Sequence, residues 1–260
     1  MQKKPLVSIL IANYNNSLYI QQCINSLNSQ TYKNLEIIFF DDNSSDNSLE
    51  IIKKFSNVQT IKNKIQTKFA SINQLNAFKK AFEISKGDLV FLLDSDDYFD
   101  KEKIEKVVDF FENNKQAKIV FDCPFIVENN DIYADKIKDK FFKTYWPYIH
   151  PTSCISIKKN CFEKLLKVIS YKDFTDVWLD FRICLFSKYI LKDFHIINES
   201  LTFYRKTNSN VSSKFNRFSK NWWKRRLQAH QFYQKFSKDN KLDFDKNLDF
   251  FLTKLICKFL

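Results

Sequence analysis

Residues 87–98 read Gly-Asp-Leu-Val-Phe-Leu-Leu-Asp-Ser-Asp-Asp-Tyr. Leu89 to Leu93 is an unbroken apolar run bounded by polar residues, so it reads as a short strand covered on both faces. It stops at Asp94, Asp96 and Asp97, three carboxylates within four positions. Carboxylates this close repel one another, so some stay protonated near neutral pH unless a cation sits among them. An oxygen-only donor set suits a hard ion, Mg²⁺ or Mn²⁺. At the carboxyl end of a central strand that ion lies in the crevice where open α/β sheets bind ligands. The local alternative is a helix cap: Asp97 or Asp100 caps a helix starting near Lys101, and the other carboxylates are solvated.

The rest of the chain supplies a sheet for that strand. Apolar, β-rich runs at Leu6–Ala12, Leu35–Phe40, Val58–Ile61 and Ile119–Val127 alternate with helical spacing over Ser17–Leu27, 49–55, Ile72–Ile84 and Ile104–Phe111. Strands alternating with helices mean βαβ units and a mostly parallel sheet flanked by helices. The Leu35–Phe40 run also ends in acid, Asp41-Asp42, so two acidic clusters face one crevice if the strands are neighbours. The pattern weakens after Ile126, and 129–150 reads as a loop bordering the crevice, with Tyr145, Trp146, Tyr148 and His150 as candidates to meet a bound ligand. Beyond it the spacing predicts a strand over Ser153–Ile157, helices over Cys161–Ile169 and Asp176–Phe186, and an extended segment over Phe194–Tyr204. A long helix over Phe215–Phe236 and a last apolar one from Leu248 follow.

Composition narrows the possibilities further. With one glycine in 260 residues, neither a Gly-rich phosphate loop nor a G-x-G-x-x-G turn can be written, which argues against a nucleotidyltransferase, an enzyme that relies on such a loop near its first strand. Positive-φ positions fall to Asn and Asp, as in Asn129-Asn130. A hydrophobic share of 44%, including 28 Phe, is that of a packed globule. The net charge of +12 favours anionic partners. Six cysteines without CxxC spacing read as reduced, buried thiols of a cytoplasmic protein. Lys3-Lys4 and the apolar stretch after them lack a small-residue cleavage site, and no run reaches the ~18 apolar residues of a membrane span.

Three segments, Val7–Asn15, Phe39–Asp46 and Gly87–Tyr98, together resemble family 2 glycosyltransferases, inverting enzymes with the GT-A fold. The resemblance implies an α/β domain over 1–210, with a nucleotide-sugar half at 1–110 and an acceptor half at 111–210, followed by a helical extension at 211–260. It implies that Ala12 and Tyr14 line a base pocket, that Asp42 accepts from the base N–H, which suits uracil, and that Asp94 and Asp96 form the Asp-x-Asp. Metal falls to Asp96, with Asp97 as its neighbour, and the ion is Mn²⁺ or Mg²⁺. Lys68 is a candidate phosphate contact, although a solvated surface lysine fits it as well, as it does Lys79 and Lys80.

In the second half, Asp176 precedes Arg182 by six positions, the spacing the family uses for its catalytic base. Thr175 stands where the family usually has Glu, and Asp180 is a rival base one turn on. The late Tyr-Arg of the family is Tyr204-Arg205 here, and no Gln-x-x-Arg-Trp is present. The implied reaction moves a sugar from a nucleotide-sugar donor to a glycan or lipid-linked acceptor in bacterial surface polysaccharide synthesis. No nucleic-acid partner is expected, and the competing reading is a non-catalytic binding module on the same fold. The 215–236 helix carries aromatic and basic faces, so peripheral contact with the inner membrane is a further expectation, set against a plain core-facing role.

Overall fold

The computed structural model describes residues 4–129, 131–135, 149–206, 215–244 and 246–260. Its first half is built as the patterning predicts. Strands β1 (Val7–Asn13), β2 (Leu35–Asp41), β3 (Val58–Lys62) and β4 (Leu89–Asp94) are joined through helices α1 (Ser17–Asn28), α2 (Ser48–Ile52) and α3 (Ala70–Ile84). They lie parallel in the order β3-β2-β1-β4. Each strand alternates between two apolar layers. Ile9, Phe39 and Phe91 face the layer formed with α1, α2 and α4 (Lys103–Asn113), while Leu10, Ile38 and Leu92 face the layer on α3. This period-two division is why the strands read as unbroken apolar runs.

The second half departs from a parallel sheet. β8 (Ile155–Lys158) is antiparallel to both β4 and β6 (Ile119–Glu128), and β9 (His195–Arg205) runs parallel to β6 and antiparallel to the two-residue β5 (Tyr98–Phe99). A hairpin strand, β7 (Asp131–Ala134), pairs with β6 inside the stretch expected to be loop. Asn129 makes its turn at φ 50°, and Asn15 and Asn43 also take positive φ, as expected where glycine is scarce. Lys192, Phe218 and Lys241 do so as well, which the sequence does not foretell. Gly87 is needed for close approach: a Cβ there would lie 2.5 Å from the Ser8 backbone nitrogen.

Helices α5 (Lys159–Ile169), α6 (Leu179–Phe186), α7 (Lys220–Asp239) and α8 (Leu248–Ile256) complete the fold. α6 begins at Leu179, so Asp176 lies in the turn before it rather than in its first turn. Phe232, Tyr233 and Phe236 of α7 join Phe174, Phe181 and Ile183 in one core cluster. The Phe232–Phe236 end of the aromatic face expected to meet lipid is therefore interior, while Phe218 at its other end is exposed.

Candidate active site

Strand register brings the acidic clusters together. β1 lies between β2 and β4, with Ala12 paired to Asp94 and Asn13 paired to Asp41. The carboxyl ends of three parallel strands thus open side by side, where such sheets bind ligands. The buried Asn13 ties them: its Nδ2 donates to Asp41 Oδ1 at 2.8 Å, and its Oδ1 accepts from Ser95 Oγ at 2.7 Å. Asp41 is thereby a structural carboxylate, and the next residue, Asp42, is the one at the cleft.

A cleft of about 670 Å³ lies over these strand ends. Ala12, Tyr14, Asp42, Lys68, Asp94 and Asp96 all line it. Asp42 is fixed by Asn63 Nδ2 at 2.6 Å and Gln66 Nε2 at 3.0 Å, and the half-exposed Tyr14 lines the same cleft. Asp94 accepts from Gln74 Nε2 with both oxygens, at 3.0 and 3.1 Å. Burial in the cleft wall and the charge of Asp96 push Asp94 up to about 7. Burial raises Asp96 too, against the pull of Arg205.

Asp97 is placed differently. It is buried, with Oδ2 accepting from Ser153 Oγ at 2.6 Å and Oδ1 from the Arg205 backbone N–H at 2.8 Å. It is not among the cleft-lining residues; it anchors the acidic turn to the loop before β8 and to the end of β9. Ser153 is the junction: its Oγ also accepts from the Asp94 N–H, and its carbonyl accepts from buried Lys103, which is paired with Asp122 at 2.8 Å. A buried ion pair under the turn holds the carboxylates in place.

The two candidate bases separate in the same way. Asp180, in the first turn of α6, lines the cleft with Trp178, Tyr204 and Arg225. Burial raises its pKa and the Arg225 charge lowers it, with a net upward shift. Asp176 is not among the lining residues. Its N–H donates to Gln228 Oε1 at 2.9 Å, and its Oδ2 accepts from Gln228 Nε2 at 3.0 Å, so it clasps the preceding turn to α7. Arg182, six positions after Asp176, is fully buried. It donates to the carbonyls of Val177, Ile169, Tyr171 and Phe174 at 2.7–2.9 Å and lies over the Phe232 ring. The six-residue spacing therefore marks a clamp that shapes the turn delivering Asp180.

Several lining residues carry no signal in the acid motifs. Ala70, Asn73, Gln74 and Ala77 form a stripe of small and amide residues along α3, a pattern visible in the sequence once that face is known to be solvent-facing. Arg225 sits in a run of three basic residues, and nothing in that run distinguishes it. Lys79 and Lys80 are exposed outside the cleft. His150 is fully buried, its Nδ1–H donating to the Asp122 carbonyl at 3.0 Å, so it presents no surface to a sugar. Tyr145, Trp146 and Tyr148 lie outside the described residues.

Among the described residues no three His, Cys, Asp or Glu side chains form a metal cage. Asp94 and Asp96, two oxygen donors in mutual repulsion on an open cleft, nonetheless fit an ion that takes one or two carboxylates and fills its remaining positions with phosphate and water.

Residues 8–161 match the family model described as glycosyl transferase family 2. An uncharacterized glycosyltransferase of Methanocaldococcus jannaschii is 30% identical over 221 residues, 78% of this chain and 71% of that protein. One from Nostoc sp. is 27% identical over 213 residues, 76% of this chain and 64% of that protein. The Escherichia coli UDP-Glc:alpha-D-GlcNAc-diphosphoundecaprenol beta-1,3-glucosyltransferase is 41% identical over 112 residues, 42% of this chain and 43% of its own length. Among solved structures, S. aureus TarS 1-349 in complex with UDP-GlcNAc has a TM-score of 0.65 at 14% identity, covering 97% of this chain and 70% of that one. Mannosyltransferase PcManGT from Pyrobaculum calidifontis, in complex with GDP-Man and Mn²⁺, has a TM-score of 0.56 at 12% identity, covering 98% and 70%. These two likenesses are of fold, and the family match spans more than half of the sequence: the chain belongs to glycosyl transferase family 2, on a GT-A fold.

Proposed function

We propose that the protein transfers a sugar, with inversion, from a nucleoside diphosphate sugar of the UDP type to a hydroxyl of a glycan or lipid-linked acceptor. The observation that carries this reading is the convergence of Asp42, Asp94, Asp96 and Asp180, from separate stretches of chain, on one cleft. Tyr14 packs on the base and Asp42 accepts its N–H, held ready by Asn63 and Gln66. Asp96, with Asp94, would hold Mn²⁺ or Mg²⁺, which when bound supplies a Lewis acid at the departing diphosphate. Lys68 and Arg225 add positive charge to the cleft wall. Asp180 takes the acceptor proton as general base; its raised pKa brings it nearer the working pH of such a group. Gln74 fixes the Asp94 carboxylate, and Asp97 and Asp176 are positioning residues. The acceptor class is supported by the printed name of the E. coli relative, whose acceptor is a lipid diphosphate-linked sugar. Six free cysteines fit a reducing, cytoplasmic setting.

The test is a thermal-shift series with UDP-sugars, with and without Mn²⁺, followed by NMR of the product's anomeric configuration. A ligand that binds only the native state raises apparent stability. The expected result is a UDP-sugar shift enlarged by Mn²⁺, with the metal increment lost in Asp96→Ala, and an inverted product. A flat response to every nucleotide sugar under both conditions rejects the reading.

A further inference from the structure

The last helix is apolar on two sides. One face of α8 packs on α7: Phe250 and Thr253 are buried, Asp249 pairs with Arg226 and His230, and Cys257 Sγ lies 3.4 Å from the Trp223 carbonyl. The other face carries Leu248, Phe251, Leu252 and Leu255, 73%, 54%, 46% and 53% exposed, and Phe259, 84% exposed, follows just past the helix end. Positions i, i+3, i+4 and i+7 put the four helical residues on one stripe. An isolated exposed leucine means little, but a contiguous stripe of this kind marks an interaction surface.

The contacts with α7 run antiparallel, from His230 beside Asp249 to Trp223 beside Cys257. The end of α8 therefore meets the start of α7, where Phe218, Trp222 and Trp223 cluster with ring centroids 4.7–6.3 Å apart and Phe218 is 63% exposed. Exposed Lys220, Lys224, Lys254 and Lys258 lie on the same two elements. Across residues 215–260 there are eleven Lys and Arg against four Asp. Leu, Phe and Trp rimmed by lysine is the chemistry of a helix lying at a lipid interface, its apolar side in the acyl boundary and its cations on anionic headgroups. A dimer seam or a protein groove has no need of this one-signed excess, which would repel a second copy of the same face.

We propose that the outward stripe of α8, with Phe218 and Trp222 at the head of α7, docks the protein on an anionic lipid bilayer. Arg225 lies on the same helix as Trp222 and lines the cleft, so docking brings the cleft near the lipid surface. The surface stands independently of the transfer reading.

The test uses the full chain in co-sedimentation with phosphatidylcholine vesicles, with and without phosphatidylglycerol, at low and high salt. Binding is expected with phosphatidylglycerol, falling steeply with salt and weak on phosphatidylcholine alone. Leu252→Glu with Leu255→Glu places charge in the stripe and is expected to lower the bound fraction at least about ten-fold. Lys254→Glu with Lys258→Glu is expected to remove most of the preference for anionic lipid. Neither pair touches the α7-facing side, and unchanged melting and UDP-sugar thermal shifts separate lost docking from lost fold. No vesicle binding by the wild type, or binding indifferent to lipid charge, overturns the proposal. So does a dimer in analytical ultracentrifugation that the Leu252→Glu, Leu255→Glu pair dissolves.

Discussion

Two aspartates four residues apart do different work because of where a single turn points them. Asp180 faces the cleft, while Asp176 is clasped by Gln228. Asp180→Asn keeps the shape and removes the proposed base, so turnover is expected to fall at least about a hundred-fold while the UDP-sugar thermal shift is retained. Asp176→Asn weakens a charge-assisted hydrogen bond; it is expected to cost about 1 kcal/mol of stability in chemical denaturation and to change turnover far less. The reverse order of effects in steady-state kinetics returns the base role to Asp176. Gly87 offers a residue-scale test of folding alone. Its added Cβ would meet backbone at 2.5 Å, where no flexible side chain can yield, so Gly87→Ala is expected to destabilise by about 1–3 kcal/mol in urea titration.

At the scale of the element, the turn between α5 and α6 is held by one side chain. Arg182 donates to four carbonyls around the turn, of which those of Ile169 and Phe174 also accept backbone N–H groups. Burial lowers its pKa to about 10, which still leaves it charged at neutral pH. Ser71 of α3 donates to the Thr175 carbonyl, and Gln228 of α7 holds Asp176, so three elements fix the turn from three sides. Arg182→Met fills the space and removes the four donated hydrogen bonds, leaving the Ile169 and Phe174 carbonyls only their backbone donors. It is expected to cost about 3 kcal/mol or more, and to lower turnover by misplacing Asp180, with melting and kinetics measured on the same preparation.

For the whole molecule, stability depends on the interior that α7 closes and on groups kept neutral inside it. A chain ending at residue 210 exposes Phe174 and Phe181, which pack against Phe232 at 5.4 and 6.2 Å. Such a chain is expected to lose cooperative melting rather than behave as a free-standing domain. His150 supplies one part of the pH dependence, beside the similarly buried His230. Burial depresses its pKa from 6.5 to about 4, so the unfolded chain takes up its proton first as pH falls. The stability it contributes is present above pH 6.5 and is lost on acidification toward pH 4, about 3 kcal/mol for this one group. In His150→Gln that part of the acid limb is expected to vanish from urea titrations run across the interval.

What could be read from residues alone follows from local physics. Short apolar runs rich in β-branched and aromatic residues and bounded by turn residues read as strands covered on both faces, and carboxylates crowded at strand ends mark the crevice, so β1, β2, β4 and the cluster of Asp42, Asp94 and Asp96 were legible. What the tertiary structure decided is direction. Asp96 and Asp97 are adjacent in the chain, yet one faces the cleft and the other is drawn inward by Ser153 and Arg205. Arg182, spaced like a partner of the base, is buried beneath a turn, and Arg225 reaches the cleft only because Phe232 and Phe236 seat α7 against the core. A side chain's identity is fixed by sequence, but which way it points depends on partners that the fold brings up, for Asp97 and Asp176 more than fifty residues away, and those contacts exist only in the folded chain.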